Sequence, residues 1–448
     1  MKTYGLYIQT FGCQMNVYDT DQIYHLLYPL GFRKADSIKH ADLIIINTCS
    51  IRHKAEQKVY SFLGRLTEKK KVKPHLIIAV GGCVAQQEGK KICGRLPHVD
   101  LVFGTHQISQ LPEMINMIMT TPIENRKNWI KTSFQTCLNE LNITETVPLN
   151  APVTDFITIM RGCDNYCTYC VVPYVRGREM SRHPDMILEE IKRKVKAGTR
   201  EITLLGQNVN SYGQKENLCS FAELLARVNA IEGLKRIRFT TSHPKDLSDD
   251  LIHAFQTLDK LCAHFHLPVQ SGSDTILKRM NRKYTRQIYL KRIEALRRVK
   301  PNIAITSDII VGFPGETHDD YKETRSLISE VNYDNLFIFK YSDRPIAPAS
   351  QFDPKVDESE KLSRLQELLA LQANQTQAHY QNLCHTTQTV LVEGNSRKNI
   401  TQWSGRTTGN YIVNFTCSKQ PPIIGQLVDV KINEACAHSL RGNMIESQ

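Results

Sequence analysis

The stretch RGCDNYCTYCVVPY, residues 161–174, decides how this chain folds and which chemistry it supports. It holds three cysteines, Cys163, Cys167 and Cys170, in the spacing C-x3-C-x2-C, and the next cysteine in the chain is Cys219. A 4Fe-4S cluster normally takes four thiolates, and structural zinc also takes four ligands. The loop therefore predicts a 4Fe-4S cluster with one iron open to a further ligand. A zinc site with a distant fourth ligand, or thiols without a metal, are the alternatives.

The cysteine loop directly follows the first of six apolar runs that alternate with helical stretches. The runs are FITIM at 156–160, ITLLG at 202–206, IRFTT at 237–241, FHLPVQ at 265–270, ITSDIIVG at 305–312 and LFIFKY at 336–341. Such alternation predicts parallel strands, each followed by a helix. Six units indicate a partial (β/α)6 barrel, which we assign to residues 151–380. Barrels of this kind carry their sites in the loops after the strands, where the cysteine loop lies.

The first hundred residues hold a second β/α alternation with three more cysteines. The runs YGLYIQTFG, DLIIINT and HLIIAVGG lead to Cys13, Cys49 and Cys83. This order predicts a doubly wound parallel sheet within residues 1–120, and thus an α/β fold. Ligands bind at the carboxyl ends of such strands, so the three thiols are expected to converge there on a second cluster. Buried apolar cysteines are the alternative, and Cys93 is a competing ligand.

The remaining chain contains a linker, a leucine-rich helix and a β-rich tail. Residues 121–150 are rich in turn formers and are predicted as the linker. The leucines of SEKLSRLQELLALQANQ form a helical stripe. The short runs TVLVEG, YIVNF and QLVDVKI predict a small all-β barrel over residues 381–446.

The bulk composition is that of a globular protein with two or three domains. The 448 residues are 41% hydrophobic and 23% charged. The N-terminus lacks the apolar core of a signal peptide, and no apolar run has the length of a membrane helix, so a cytoplasmic location without membrane attachment is expected. The 13 cysteines would stay reduced there. A net charge of +12 favours a polyanionic partner such as nucleic acid.

The cysteine loop resembles the signature of radical S-adenosylmethionine (SAM) enzymes, and the whole chain resembles the methylthiotransferase family among them. FGCQMN, NTCSIR and GGCVAQ are similar to the N-terminal module of that family. LLGQNVNSYG, HLPVQSGSD, LKRMNRKYTR and SDIIVGFPGET are similar to its barrel, and GRTTGNYIV is similar to its RNA-binding TRAM domain. The resemblance implies two 4Fe-4S clusters and SAM as cofactors, with SAM at the open iron of the barrel cluster.

Within the family, VVPYVRGRE and LLGQNVNSYG look most like members that methylthiolate C2 of N6-dimethylallyladenosine just 3′ of the tRNA anticodon. The resemblance then implies a tRNA anticodon loop as substrate, an electron donor of the flavodoxin or ferredoxin type, a sulfur donor, and a monomer. Two alternatives keep the chemistry but change the substrate to threonylcarbamoyl-adenosine in tRNA or to an aspartate of a ribosomal protein. A non-catalytic RNA-binding protein with structural or redox-sensing clusters is an alternative of another class.

Further residues are expected to bind the cofactor or the RNA, in addition to the catalytic cysteines of the loop. The predicted contacts of SAM or substrate are Tyr169, Gln207, Ser271 and Asp308. The predicted RNA contacts are Arg176 and Arg178, which follow the cysteine loop, and Arg406 and Asn410 in the tail. One segment departs from the family pattern, because YSDRPIAPAS has Ile346 and Ala347 in place of Gly and Thr. The resemblance therefore implies no substrate contact for that segment.

Overall fold

The computed structural model describes residues 2–50, 53–134, 151–417 and 421–445, which form two compact units. The first unit contains the described residues of Met1–Thr146 together with Met160–Asp164 and Val171–Arg182. The second unit contains those of Val147–Ile159, Asn165–Cys170 and His183–Gln448. The cysteine loop is thus divided, with both of its flanks in the first unit. Within the described residues, no helix combines the length and the apolar character needed to cross a membrane.

The first unit is built on a six-stranded parallel sheet, as the N-terminal apolar runs predict. Its strands lie in the order Phe32–Lys34, Tyr4–Thr10, Leu43–Thr48, Ile77–Gly82, Leu101–Phe103 and Trp129–Lys131. The strands Leu43–Thr48 and Ile77–Gly82 are buried throughout, which explains their unbroken apolar sequence. Two apolar clusters form the core around this sheet. The helices are Gln14–Leu27, His53–Val72, Cys83–Glu88, Lys90–Arg95 and Leu111–Thr120.

Three short strands of this sheet lie outside the predicted runs. Phe32–Lys34, Leu101–Phe103 and Trp129–Lys131 have three residues each, too few to show a period in the sequence. Trp129–Lys131 falls in the segment predicted as a linker, so this part of residues 121–150 belongs to the sheet. Residues 135–150 of the predicted linker lie outside the described residues.

The flanks of the cysteine loop form a small structure within the first unit. Met160–Arg161 pairs antiparallel with Met180–Ser181, and the short helix Val172–Arg176 lies between them in the chain. The predicted strand 156–160 is thereby divided, because Thr154–Thr158 belongs to the second unit.

The second unit holds the predicted partial barrel. Its six strands form two parallel three-stranded sheets in chain order, and they are Thr154–Thr158, Glu201–Leu205, Arg236–Phe239, His264–His266, Ala304–Val311 and Asn335–Lys340. A parallel bridge joins Ile237, in the third strand, to Leu261, which shortly precedes the fourth strand. The fourth strand is shorter than the predicted run 265–270, because Pro268 has no N–H to donate to the ladder.

Helices follow the barrel strands in the expected alternation. They are Pro184–Lys196, Phe221–Asn229, Asp249–Thr257, Asp274–Arg279, Arg286–Val299 and His318–Val331. Most begin after a Ser or Thr whose hydroxyl accepts an N–H of the first turn, and these caps are Ser220, Ser248, Ser273, Thr285 and Thr317. Each cap satisfies an amide that the helix itself leaves unpaired.

A long helix, Glu358–Asn382, leads to a closed five-stranded barrel, which confirms the predicted small all-β barrel. The strands lie in the barrel order Thr387–Asn395, Trp403–Arg406, Ile412–Thr416, Leu440–Met444 and Leu427–Ala435. The leucine stripe of the helix is buried only in part, because Leu368 is buried whereas Leu362 and Leu369 are exposed.

The closed five-stranded barrel (the small barrel) packs against the amino-terminal ends of the strands of the six-stranded partial barrel (the large barrel). Arg236, the first residue of its strand, donates to two backbone carbonyls of the small barrel. Arg238 donates to the carbonyl of Thr407 at 2.6 Å. The hydroxyl of Tyr411 donates to Asp334, which precedes the last barrel strand. The cysteine loop follows the carboxyl end of a strand, so loop residues 165–170 and the small barrel lie at opposite ends of the large barrel.

Candidate active site

Cys13, Cys49 and Cys83 each follow the carboxyl end of a strand of the first sheet, as predicted. The strands Tyr4–Thr10 and Leu43–Thr48 are neighbours in the sheet although they are not consecutive in the chain. The topological switch point, where open α/β sheets bind their ligands, lies between them. Cys13 and Cys49 therefore border this crevice, and a hydrogen bond joins their side chains.

Cys13 and Cys83 share one electrostatic environment, in which Arg176 acts on both thiols. The hydrogen bond to Cys49, together with the positive charge of Arg176, lowers the pKa of Cys13 to about 6 against the effect of burial. Burial raises the pKa of Cys83, and the guanidinium of Arg176, hydrogen-bonded to this thiol, opposes that effect. The thiolate is the form that binds a metal, so the surroundings of Cys13 favour the ligand form at neutral pH.

Gly12 brings the end of the first strand against Cys49. Its φ of +116° lies in the region that favours glycine, and a Cβ there would stand 2.1 Å from the Cβ and 2.7 Å from the Sγ of Cys49. Asn16 fixes the same corner by donating to the carbonyls of Phe11 and Thr48, both at 2.8 Å. Gly12 and Asn16 of the FGCQMN motif thus serve the geometry of the cysteines.

Replacing Gly12 with alanine is expected to displace Cys49 and so to remove the cluster that is predicted at Cys13, Cys49 and Cys83. The new methyl group cannot fit beside the Cys49 side chain, whereas the loop cysteines are untouched, so the iron content should fall to about half that of the native protein. Iron analysis of the anaerobically reconstituted protein measures this. Gly64→Ala is the matched control, because a Cβ on this helical glycine meets nothing within 4 Å. Full iron content in Gly12→Ala would contradict the prediction.

Local backbone bonds hold the second cysteine set. In the first unit, the N–H of Cys163 donates to the carbonyl of Gly177 at 3.3 Å. In the second unit, the N–H of Cys170 donates to the carbonyl of Cys167 at 2.9 Å. The side-chain amide of Asn281 donates to two further carbonyls of the loop at 3.1 and 3.0 Å. Hydrogen bonds therefore hold the backbone of both parts of the loop, the part in the first unit and the part in the second unit.

Arg282 is a functional candidate that the sequence analysis missed. Its buried guanidinium lies 3.5 Å from the Sγ of Cys167 and 3.4 Å from the hydroxyl of Tyr169. It also donates to the hydroxyl of Tyr284 at 2.8 Å. Burial holds the pKa of Tyr169 well above its usual value, so this side chain is a neutral phenol. Arg282 belongs to the motif LKRMNRKYTR, but its burial beside a cysteine could not be read from that motif.

Two predicted cofactor contacts, Gln207 and Asp308, lie at barrel strands. Gln207 is half-buried and comes just after the strand Glu201–Leu205. Asp308 lies within its strand, and its Oδ1 is 3.6 Å from the Nε2 of His266. Together with Tyr169, they stay predictions for the binding of SAM or substrate.

The surroundings of Ser271 argue against the predicted cofactor contact. The side chain is fully buried, and its hydroxyl shares a hydrogen bond of 3.2 Å with that of Thr324. It also accepts the N–H of Ser273 at 3.2 Å. A Cβ on the adjacent Gly272 would stand 2.6 Å from the backbone oxygen of Glu323. The QSG sequence therefore allows a helix to approach closely, and the Ser271 hydroxyl is turned toward that helix.

The structure also corrects the prediction of Arg176 as an RNA contact. Arg176 is 3% exposed, and its guanidinium donates to Asp19 at 3.2 Å and to Asn16 at 2.8 Å. A side chain so enclosed has no surface to offer a phosphate. Arg178, by contrast, is exposed, with its Nε 2.8 Å from the Oδ1 of Asp164.

The two tail residues predicted to contact RNA lie side by side in the small barrel. The Nη1 of Arg406 donates to the side-chain oxygen of Asn410 at 3.2 Å. The Nε of Arg406 lies 3.4 Å from a carboxylate oxygen of Glu393. Both residues are half-buried, and they stay predictions, as does Arg178.

The segment that departs from the family pattern contacts the cysteine loop through its backbone. The N–H of Ala349 donates to the carbonyl of Thr168 at 2.9 Å. Ala347 is buried, whereas Ile346 is at the surface. The contact to the loop thus does not depend on the side chains that differ.

Among the described residues, no three His, Cys, Asp or Glu side chains are close enough to hold one metal ion together. A 4Fe-4S cluster has a different requirement, because each of its thiolates binds a different iron. Both cysteine sets consist of thiols alone, and each lies beside a buried guanidinium, that of Arg176 or that of Arg282. These positive charges suit the net negative charge of a thiolate-bound cluster, so the donor sets fit 4Fe-4S clusters.

Three family models match the chain. They are the Uncharacterized protein family UPF0004 at residues 5–104, the Radical SAM superfamily at residues 157–328 and the TRAM domain at residues 385–445. Among solved structures, the radical SAM methyltransferase TsrM from Kitasatospora setae, with cobalamin and a 4Fe-4S cluster bound, has a similar fold. Its TM-score is 0.57 at 12% identity, over 78% of this chain and 74% of that chain. The fold, the cysteine loop and these models define a radical SAM enzyme with a TRAM domain.

Curated relatives define the family more narrowly. The tRNA-2-methylthio-N6-dimethylallyladenosine synthase of Desulfosudis oleivorans is 53% identical over 449 residues, which cover 97% of this chain and 96% of that protein. The synthase of the same name from Syntrophus aciditrophicus is 50% identical, with 98% of this chain and 94% of that protein covered. The chain belongs to the family of tRNA-2-methylthio-N6-dimethylallyladenosine synthases, which confirms the resemblance found in its motifs.

Proposed function

We propose that this protein adds a methylthio group to C2 of N6-dimethylallyladenosine beside the anticodon of tRNA. The observation that carries the proposal is the identity of 53% over 97% of the chain to a synthase named for this product. Two cysteine sets, each with a buried guanidinium beside it, support the same assignment. A non-catalytic RNA-binding protein would have no need for two sets that each leave one iron open.

In this proposal, one cluster is held by Cys163, Cys167 and Cys170, and the other by Cys13, Cys49 and Cys83. Bound there, the clusters supply the reductive cleavage of SAM and a site for the sulfur that is transferred. The chain contributes the surroundings. Its thiols are buried or half-buried, which limits the access of water. Arg282 holds the hydroxyl of Tyr169 beside Cys167, so it fixes the part of the loop that we propose binds SAM.

The inner face of the partial barrel offers a platform for the target base. His266, Asp308 and Phe337 lie on three neighbouring strands, and Asp308 is the register partner of Phe337. The ring of Phe337 packs edge-on against His266 with 6.1 Å between centroids. On the same strand as Asp308, Ser307 and Ile309 are fully buried on the opposite face. The exposed face therefore combines an aromatic ring with polar groups, as recognition of an unstacked RNA base requires.

Replacing Phe337 with alanine is expected to weaken RNA binding. Phe337 is 47% exposed at the edge of the barrel, and stacking of a base on such a ring contributes about 1–3 kcal/mol, or roughly 5- to 150-fold in Kd. The measurement is the Kd of an anticodon stem-loop that carries dimethylallyladenosine. Tyr28→Ala removes an equally exposed ring from the first unit and serves as the control. An unchanged Kd in Phe337→Ala would rule out this platform.

Nucleoside mass spectrometry of tRNA tests the function. The host is a bacterium without its own methylthio-adenosine synthase, with and without this gene. We expect 2-methylthio-N6-dimethylallyladenosine only in the presence of the gene. Accumulation of 2-methylthio-threonylcarbamoyl-adenosine, or of a methylthiolated ribosomal protein, would instead assign one of the alternative substrates. A reduced protein that fails to cleave SAM would favour the non-catalytic alternative.

The remaining partners are part of the proposal as well. An electron donor of the flavodoxin or ferredoxin type would reduce the cluster, and a separate donor would renew the sulfur. The net charge of +12 supports binding of tRNA through its phosphates, which makes affinity fall as salt rises. We place the reaction in the cytoplasm and expect a monomer.

A further inference from the structure

One aspartate and two arginines form a buried charge cluster beside the N-terminal cysteines. Asp19 lies on the helix Gln14–Leu27, which begins directly after Cys13, and the arginines are Arg161 and Arg176. The Nη2 of Arg161 is 2.9 Å from one carboxylate oxygen of Asp19, and the Nη1 of Arg176 is 3.2 Å from the other. The exposed fractions of Asp19, Arg161 and Arg176 are 1%, 2% and 3%.

The charges of this cluster do not balance. Two guanidinium groups share one carboxylate, so these three side chains together carry one excess positive charge, and the buried guanidinium of Arg182 adds a further positive charge near Arg161. A buried charge without a partner is costly, so such an excess points to a negative charge nearby. Arg176 identifies its position, because the same guanidinium is hydrogen-bonded to the thiol of Cys83 and interacts electrostatically with Cys13.

The orientation of Arg176 is fixed by neighbours other than the thiols. Its Nη2 donates to the side-chain oxygen of Asn16 at 2.8 Å, and its backbone carbonyl lies 2.8 Å from the Nε2 of His106. Asn16 is itself bound to the backbone on both sides of the cysteine crevice. The guanidinium is therefore held toward the cysteines by contacts within the protein itself.

We propose that Arg176 is a positioning residue whose buried positive charge stabilises the reduced form of the cluster at Cys13, Cys49 and Cys83. This inference rests on the proposed function in one respect, namely that these cysteines hold a 4Fe-4S cluster. Reduction adds one electron, supplied by the external reductant, and so adds one negative charge to the cluster. A fixed positive charge beside it favours that state, and the carboxylate of Asp19 opposes the effect while it holds Arg176 in place.

A redox titration followed by electron paramagnetic resonance tests the inference. The protein is the full chain with Cys163, Cys167 and Cys170 replaced by alanine, so that only the N-terminal cluster is observed. In this background, Arg176→Gln should lower the midpoint potential of the cluster by about 59 mV. For a one-electron couple, this shift corresponds to an about tenfold lower ratio of reduced to oxidised cluster at a fixed potential. Arg176→Lys keeps the charge and should restore most of the potential. Asp19→Asn should raise it.

A charge effect predicts that Arg176→Gln lowers the midpoint potential and that Asp19→Asn raises it. A general loss of structure would not shift the potential in opposite directions. Arg178→Gln is the control, since it removes an exposed arginine two residues away and should leave the potential unchanged. If Arg176→Gln keeps its cluster at the potential of the control, the inference is wrong. If Arg176→Gln loses the iron but Arg176→Lys keeps it, the requirement for the charge is supported. If both lose it, Asp19→Asn decides, because a potential that is unchanged or lower would overturn the inference.

The iron content of the background protein distinguishes this result from a failure of the proposed function. If the chain without the three loop cysteines binds no iron while Cys13, Cys49 and Cys83 are intact, the N-terminal cluster assignment itself fails. If it binds a 4Fe-4S cluster whose midpoint potential does not change when Arg176 is replaced, only the inference about Arg176 fails.

Discussion

Replacing Cys163 with alanine is expected to abolish the reductive cleavage of SAM and, with it, the methylthiolated product. The loop supplies only three thiols, and the next cysteine in the chain is Cys219, so the sequence around the loop contains no replacement ligand. The measurement is the amount of 5′-deoxyadenosine formed by the reconstituted protein with dithionite and SAM.

Cys262→Ala is the matched control for this experiment. Cys262 is a buried cysteine of the same barrel, and burial raises its pKa to about 11, so it is a neutral thiol and a poor ligand. This variant should still cleave SAM. Cleavage at the native level by Cys163→Ala would show that the loop does not hold the catalytic cluster.

Replacing Cys49 with alanine is expected to abolish the methylthiolated product while SAM cleavage continues. Cys49 belongs to the cysteine set at the switch point of the first sheet, and its side chain is hydrogen-bonded to that of Cys13. Its removal leaves two thiols for that cluster and leaves all three cysteines of the loop. Product by mass spectrometry and 5′-deoxyadenosine by chromatography, measured in the same sample, give the two readings.

Cys93→Ala is the comparison for Cys49→Ala, because the sequence offers Cys93 as an alternative ligand of the N-terminal cluster. In the structure Cys93 packs in an apolar cluster of the first unit, and burial raises its pKa. The variant should make product, with at most a loss of stability from the small cavity. If Cys93→Ala loses the product and Cys49→Ala keeps it, the assigned ligand set of the N-terminal cluster is wrong.

The long elements of this fold could be predicted because local sequence determines them. Buried parallel strands are continuous apolar runs, so Leu43–Thr48 and Ala304–Val311 are visible without a structure. The strand Trp129–Lys131 is not, because three residues carry no period and its pairing depends on a distant neighbour.

The positions of the cysteines after the ends of strands could be predicted, whereas the side chains around them could not. Arg176 follows the cysteine loop and looks like a surface residue, yet it pairs with Asp19, which lies 157 residues earlier in the chain. Likewise, Arg282 approaches Cys167 across 115 residues. Ser271 shows the converse case, since this polar residue after a strand is buried against the hydroxyl of Thr324 on a helix. Contacts of this range follow from the fold as a whole and leave no local pattern.

Because the small barrel is attached to the amino-terminal ends of the strands, the length of the large barrel's strands sets the distance between the small barrel and the cysteine loop. The strand before the cysteine loop has five residues and Ala304–Val311 has eight, which at about 3.3 Å per residue correspond to roughly 17–26 Å. An RNA gripped by the small barrel must span that length to bring a base to the loop. A free nucleoside is too short to use both ends, so the enzyme would choose its substrate by the spacing between stem and base as well as by the base itself.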